Sequence, residues 1–238
     1  MTTRRPCSAL AAGLFAVATL SFGQPAVAQD AEPTAEEIAK RMQALYNDTA
    51  DFKAKFKQTY TDIAAGEAKK SFGRVYFKRE GKMRWDYYEK NADGKQSQSK
   101  VLVADGDAFW IYEVKFKQVF KECLKDSKLP ASLEFLMGGG NLGKSFDITK
   151  KTSTTKGTHV LELLPKEPTP QYQKLQFVVD AKTYLVLKTT IFDPYGNTNE
   201  IVFANVKLNQ NLPDKGFSFQ PPKDARLLTP KKTCPTSP

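Results

Sequence analysis

Histidine and long apolar runs are scarce in this chain of 238 residues. His159 is the single histidine, and the serines form no G-x-S-x-G motif. A hydrolytic triad needs both a nucleophile motif and a base, so the sequence argues against a secreted hydrolase. We interpret His159 as a strand residue on the sheet surface. We expect no catalytic residue, no metal site and no cofactor.

The one long apolar run lies near the start, at residues 10–20. Arg4 and Arg5 precede it, and Ala26-Val27-Ala28 follows it with small residues at the cleavage positions. This order predicts a signal peptide at 1–28 that is removed on export to the periplasm. No later segment approaches the roughly 18 consecutive apolar residues that a spanning helix requires.

Cysteine is equally rare. Cys7 lies inside the predicted signal peptide, so cleavage leaves Cys123 and Cys234. These two alone cannot supply the four ligands of a structural zinc site. In an oxidising compartment, we expect a Cys123–Cys234 disulfide.

Charge is abundant and unbalanced, with a net charge of +10. Lysines alternate with apolar residues at 53–57 and again at 115–117. Alternation of this kind is typical of a half-buried strand, and in an exported protein it does not indicate nucleic acid. Anionic lipid head groups and acidic protein surfaces are the alternative partners for these runs.

The spacing of apolar residues differs between segments of the chain and separates predicted helices from predicted strands. Thr34 and Glu37 form a capping box that begins an amphipathic helix at 35–47. A second short helix is expected at 130–137, where Pro130 suits its first turn and three glycines follow. The other segments alternate with period two and predict about eleven strands, at 52–56, 72–78, 83–88, 100–104, 108–113, 117–122, 146–149, 160–164, 175–179, 184–192 and 198–208.

Two turn motifs connect predicted strands. Asp105-Gly106 predicts a tight hairpin in which both residues tolerate positive φ, and residues 193–197 predict a type I turn. We expect one strongly curved antiparallel sheet with two or three short helices against it, in a single domain at 29–230. Residues 231–238 form a polar, proline-rich tail that we predict to be flexible.

Large apolar side chains gather where a short helix would face a strand. The candidates for an apolar cavity are Met42 on the first helix, Met83 and Trp85 on one face of a strand, and Leu133, Leu136 and Met137 on the second helix. A helix that is apolar nearly all round must bury itself or cover something apolar. An ordinary hydrophobic core is the alternative interpretation of the same residues.

Five segments in register resemble the LolA family of periplasmic outer-membrane lipoprotein carriers. The resemblance covers residues 35–228 and rests on 78–87 (KREGKMRWDY), 52–58, 104–112, Pro130 with Leu133 and Leu136, and 217–222 (FSFQPP). Glu80 stands where the family usually has proline after the arginine, and no glycine follows Pro221-Pro222.

The resemblance implies a mainly β protein with short helices: an unclosed (half) antiparallel β-barrel of about eleven strands under a helical lid. It implies that a monomer carries acylated lipoproteins from an inner-membrane ABC transporter to an outer-membrane receptor or to the outer membrane itself. It also implies that Arg79 latches the lid to the barrel rim, where we expect it to cap the helix at 130–137. A lipid or glycolipid carrier and a lipoprotein-sensing module are alternatives on the same fold.

Residues 138–145 (GGGNLGKS) match the nucleotide-binding P-loop pattern letter for letter. A P-loop follows a strand and leads into a helix, whose N-terminal N–H groups contact phosphate. Here the predicted helix precedes the glycines and a predicted strand follows them. We therefore interpret the glycines as a helix-to-strand connection.

We predict that the protein binds no nucleotide, because the order of elements around the motif is reversed. Calorimetric titration with Mg-ATP should give only the heat of dilution. A micromolar dissociation constant that is lost in Lys144→Ala would contradict this prediction.

Overall fold

A computed structural model describes residues 1–2, 32–124, 135–136 and 140–228. All but the first two residues of the predicted signal peptide, the tail at 231–238 and most of the predicted helix at 130–137 lie outside these residues, as do Leu133, Met137 and Cys234. The chain divides into two units between Glu32 and Pro33, and every element below belongs to the second.

The elements of this unit are two α-helices, twelve strands and one 3-10 helix within the described residues. They are α1 (Ala35–Asp48), β1 (Asp51–Asp62), β2 (Glu67–Lys78), β3 (Lys82–Lys90), β4 (Gln96–Asp105), β5 (Ala108–Glu113), β6 (Gln118–Cys123), α2 (Leu142–Ser145), β7 (Phe146–Lys151), β8 (Thr158–Pro165), β9 (Lys174–Asp180), β10 (Val186–Phe192), β11 (Thr198–Leu208), the 3-10 helix (Asp214–Phe217) and β12 (Arg226–Leu228). Phe135 and Leu136 are also helical. None of the described helices is long and apolar enough to cross a membrane.

All twelve strands form one sheet, in the order β12-β6-β5-β4-β3-β2-β1-β11-β10-β9-β8-β7. Its two antiparallel meanders, β1–β6 and β7–β11, join where β1 pairs with β11. Strands β7 and β12 are the free edges, so the barrel is unclosed, as the sequence predicts. The eleven predicted strands are all present, and the short β12 adds to β6 in parallel.

Helix α1 begins as predicted. The Glu37 N–H donates to the Thr34 hydroxyl at 3.2 Å, and the Thr34 N–H donates to the Glu37 carboxylate at 2.8 Å. These hydrogen bonds complete the capping box, and the bond from the Thr34 backbone lowers the pKa of Glu37. Ile38, Met42 and Tyr46 lie on the buried side of the helix, which packs against the inward face of the sheet.

Side chains alternate between the two faces of each strand, so that one set points towards the inward face of the sheet. On β1 and β2 these are Phe52, Ala54 and Phe56, then Val75 and Phe77. Period-two geometry leaves the intervening lysines of β1 on the outer face.

Gly73 is buried on β2, directly opposite Phe56 on β1. A Cβ at this position would come within 2.0 Å of the Asp86 carbonyl oxygen and 2.7 Å of the Phe56 ring. The absent side chain therefore lets the ring lie across the strand and lets β3 approach closely.

One predicted turn and one predicted strand boundary differ in detail. Only Gly106 of the Asp105-Gly106 pair has positive φ, at 107°. The Asp105 carboxylate instead accepts hydrogen bonds from the N–H groups of Asp107 (3.0 Å) and Ala108 (2.8 Å), as in an Asx turn. Strand β10 begins at Val186 rather than at the predicted Tyr184, whose φ of 59° places it in a turn.

The C-terminal segment covers the outer face of the first meander. Phe217 is buried there, and Phe219 packs on Trp110 and Tyr112 with ring centroids 5.7 and 6.0 Å apart. The segment then pairs with β6 as β12. Cys123, the last residue of β6, is disulfide-bonded, and its partner lies outside the described residues. The pairing with Cys234 stays a prediction.

We predict that Gly73→Ala lowers the free energy of unfolding by about 1–3 kcal/mol, because the added methyl group meets backbone that cannot move aside cheaply. Denaturant unfolding measures this change. Gly143→Ala is the matched control, since its Cβ would meet nothing closer than 3.6 Å. An unchanged midpoint for Gly73→Ala would show that β2 and β3 separate without cost.

Candidate functional site

The inward face of the sheet brings together the predicted cavity residues that the structure describes. Met42 and Met83 are 0% exposed, Trp85 is 2% exposed and Leu136 is 3% exposed. All four belong to one hydrophobic cluster that joins α1, the sheet and the helical pair Phe135-Leu136. Residues separated by almost a hundred positions thus share one apolar interior.

Aromatic rings dominate this cluster. Trp85 meets Phe56 edge-on at 4.7 Å between ring centroids and Phe77 at 5.7 Å. Phe135 packs on Tyr46 at 4.9 Å and on Phe177 at 6.1 Å.

None of Tyr46, Phe56, Phe135 and Phe177 is among the predicted cavity residues. The alternation of β1 and β9 contained the signal for Phe56 and Phe177. The helical spacing of α1 contained the signal for Tyr46. Phe135 lay in the apolar short helix whose other large residues were chosen.

Few directional contacts hold α1 on the sheet. The Tyr46 hydroxyl accepts a hydrogen bond from the Val186 N–H at 3.1 Å. Burial raises the pKa of Tyr46, although this bond favours the ionised form. Near the middle of the helix, Arg41 donates to the Tyr184 hydroxyl at 2.8 Å. Most of the other contacts between α1 and the sheet are apolar and have no directional preference.

Arg79 lies in the turn between β2 and β3 and contacts the C-terminal end of α1. Its Nε donates to the Thr49 carbonyl oxygen at 3.1 Å, and its Nη2 donates to the Asn47 carbonyl oxygen. We expected Arg79 to cap the helix at 130–137, but the carbonyls that it contacts in the described residues belong to α1. The physical reason is the same, because unpaired carbonyls at a helix C-terminus attract a cation. Arg79 is exposed, so this contact is open to water.

Two polar side chains also lie on the inward face. Burial raises the pKa of Tyr87, which packs edge-on against Phe56 at 4.9 Å. His159, expected on the surface, is instead buried to 9% exposure on β8. It alternates in phase with Leu161 and Leu163, and its ring stacks near Tyr184 at 6.5 Å. The surface interpretation was wrong because β8 faces inward at odd-numbered positions.

Among the described residues, the concave side of the sheet is covered in this conformation. Helix α1 and the pair Phe135-Leu136 occupy the concave side, which is why Met42 and Met83 have no exposed area. A cleft of about 560 Å³ lies beside the helix instead, between α1, α2 and β7. Gln43 crosses it by accepting a hydrogen bond from the Leu142 N–H at 3.1 Å.

The P-loop-like segment ends in this cleft. Strand β7 begins at Phe146, as predicted, but a single helical turn, α2, intervenes between the glycines and the strand. The Asn141 side chain caps this turn by accepting from the Lys144 N–H at 3.0 Å. Among the residues that the structure describes, no group of three or more His, Cys, Asp or Glu side chains could hold a metal.

The geometry defines a class of protein: an unclosed antiparallel barrel whose apolar inner face is covered by a helix. A solved structure agrees at the level of fold. An uncharacterized conserved protein from Thermus thermophilus has a TM-score of 0.51 and 14% identity, covering 82% of this chain and 99% of that chain.

The family profile described as "Outer membrane lipoprotein carrier protein LolA" matches residues 47–220, and the chain belongs to this family. Two relatives carry the name outer-membrane lipoprotein carrier protein. One, from Chromobacterium violaceum, is 29% identical over 200 residues and covers 84% of this chain and 91% of its own length. The other, from Legionella pneumophila, is 26% identical over 217 residues, with coverages of 90% and 98%.

Proposed function

We propose that the protein carries acylated lipoproteins through the periplasm from the inner to the outer membrane. The acyl chains occupy the space between α1 and the inward face of the sheet. We propose a carrier and not an enzyme, because the inward side chains that the structure describes are mostly apolar.

The observation that supports this function is the way the concave face is covered. A fixed core would close the barrel with further strands, whose ladders of hydrogen bonds are costly to break. Here the amphipathic helix α1 and the pair Phe135-Leu136 supply the cover among the described residues, and mostly non-directional contacts hold α1 in place. Acyl chains offer the sheet the same kind of apolar contact, so they can replace the helix.

The energetics of this exchange favour reversible binding. Burial of each CH₂ group contributes about 0.8 kcal/mol, so several acyl chains together would bind almost irreversibly to an empty apolar cavity. Binding in a cavity that α1 already fills must first displace the helix and expose its apolar side. The closed form thus offsets part of the binding energy and makes release possible.

The partners follow from this transport role. An inner-membrane lipoprotein-releasing ABC transporter delivers the cargo, and an outer-membrane receptor or the membrane itself accepts it. The carrier acts as a monomer in the periplasm after removal of residues 1–28. It uses no cofactor, nucleotide or nucleic acid.

A lipid or glycolipid carrier is the alternative, because the same inward face accepts acyl chains with or without an attached protein. Purification from cells distinguishes the two functions. Acylated proteins in the purified complex support the lipoprotein carrier, and free lipid alone supports the alternative. A sensing module would instead hold its cargo without handing it over.

We predict that Leu136→Glu abolishes binding of a fluorescent acyl probe, because a carboxylate would enter the apolar space between Phe135 and the sheet. Fluorescence titration measures binding, and the far-UV circular dichroism should remain unchanged. Leu164→Glu is the matched control, since Leu164 on β8 is 44% exposed and points away from the cluster. Equal probe binding by Leu136→Glu and the unsubstituted protein would contradict the proposed site.

We also propose that Arg79 is the latch of the closed, empty form. Cargo separates Arg79 from the carbonyls of Asn47 and Thr49, and the contact forms again as cargo leaves. We predict that Arg79→Leu binds cargo but hands it to outer-membrane vesicles about 5-fold more slowly, as expected for an exposed hydrogen-bonded contact worth about 1 kcal/mol.

The control for this measurement is Arg74→Leu, which removes an exposed arginine from the neighbouring part of β2. Hand-over by this variant should match that of the unsubstituted protein. A wild-type rate for Arg79→Leu would show that the contact with α1 is not a latch.

A further inference from the structure

Trp85 has a feature that the packing of the core does not explain. Its side chain is 2% exposed, and its indole Nε1 is a buried donor without a hydrogen-bond partner, unlike every other buried side-chain nitrogen or oxygen in the described part of the chain. Leaving such a group unpaired lowers the stability of the fold, and native proteins rarely do so without a reason.

Four aromatic rings surround the indole that carries this donor. Phe56, Phe77, Tyr87 and Phe203 lie around the indole, with ring centroids 4.7 to 6.4 Å away. A phenylalanine at position 85 would fill much of this space without burying an unpaired N–H group. Trp110 shows the usual arrangement, since its Nε1 donates to the Asp105 carboxylate at 3.0 Å.

The position of Trp85 suggests where an acceptor would come from. The residue lies on the inward face of β3, in the same cluster as Met42 of α1 and Leu136. Ligand that displaces the helix therefore comes to lie over Trp85. An acyl chain carries one kind of strong acceptor into such a space, the carbonyl oxygen of its ester or amide linkage.

We propose that the Trp85 indole N–H donates a hydrogen bond to an acyl carbonyl oxygen of the bound lipid. This inference rests on the proposed carrier function and adds a polar subsite to it. An indole N–H is a donor only, so it matches a carbonyl that loses water on entering the cavity. The pairing satisfies both groups and fixes how far the acyl chain enters. It also selects acyl lipids over ether-linked lipids and hydrocarbons.

The chain has two tryptophans, which makes the test direct. The ¹⁵N-labelled protein should give two indole N–H signals, and Trp110→Phe assigns them. The probes are dioctanoylglycerol, which has ester carbonyls, and its dioctyl ether analogue, which has none. The ester should move the Trp85 signal downfield and leave the Trp110 signal in place. The ether should bind about 5- to 10-fold more weakly without the downfield shift, as expected for one hydrogen bond.

The variant Trp85→Phe should bind the ester and the ether with equal affinity, whereas Trp110→Phe should keep the preference for the ester. The inference is overturned if the unsubstituted protein binds both probes equally, or if Trp85→Phe keeps the preference. Either of those outcomes leaves the carrier function intact, because acyl binding itself is observed. If neither probe binds the unsubstituted protein, the carrier function fails and this inference fails with it.

Discussion

The contact between α1 and the inward face of the sheet is the interaction on which the rest of the structure depends. A curved antiparallel sheet with two free edges leaves its concave side open, and the apolar residues there require a cover. Helix α1 supplies it through Ile38, Met42 and Tyr46. Because that contact is mostly apolar, it is strong in total but replaceable by any apolar object of similar size.

Polar contacts divide into two kinds around this interface. Those within the sheet and its turns are numerous and keep the frame in one geometry. Those that fix the helix in the described residues are few, namely the hydrogen bonds of Tyr46, Arg41, Gln43 and Arg79. The frame can therefore remain intact while its cover moves. On the outer face, the C-terminal segment adds further contacts to the frame, because it buries Phe217 there and pairs with β6.

The inward face also carries polar groups that a purely structural core would avoid. Trp85 has an unpaired N–H group, and burial raises the pKa of Tyr87 because its ionised form would lose hydration. Of these two groups, the unpaired N–H of Trp85 lowers the stability of the closed form. Both groups are consistent with a surface that has two alternative occupants, the helix of the protein and the lipid of the cargo.

Sequence alone determined the elements and their class, because hydrophobic period and capping are local. The capping box of Thr34 and Glu37, the eleven strands and the apolar faces of Met42, Met83 and Trp85 are all readable without the fold. Tertiary structure decided which residues meet across long separations: Phe135 against Phe177, and Arg79 against the end of α1. It also turned His159 inward, because apolar residues occupy both faces of β8 and its pairing with β7 and β9 decides which face is buried.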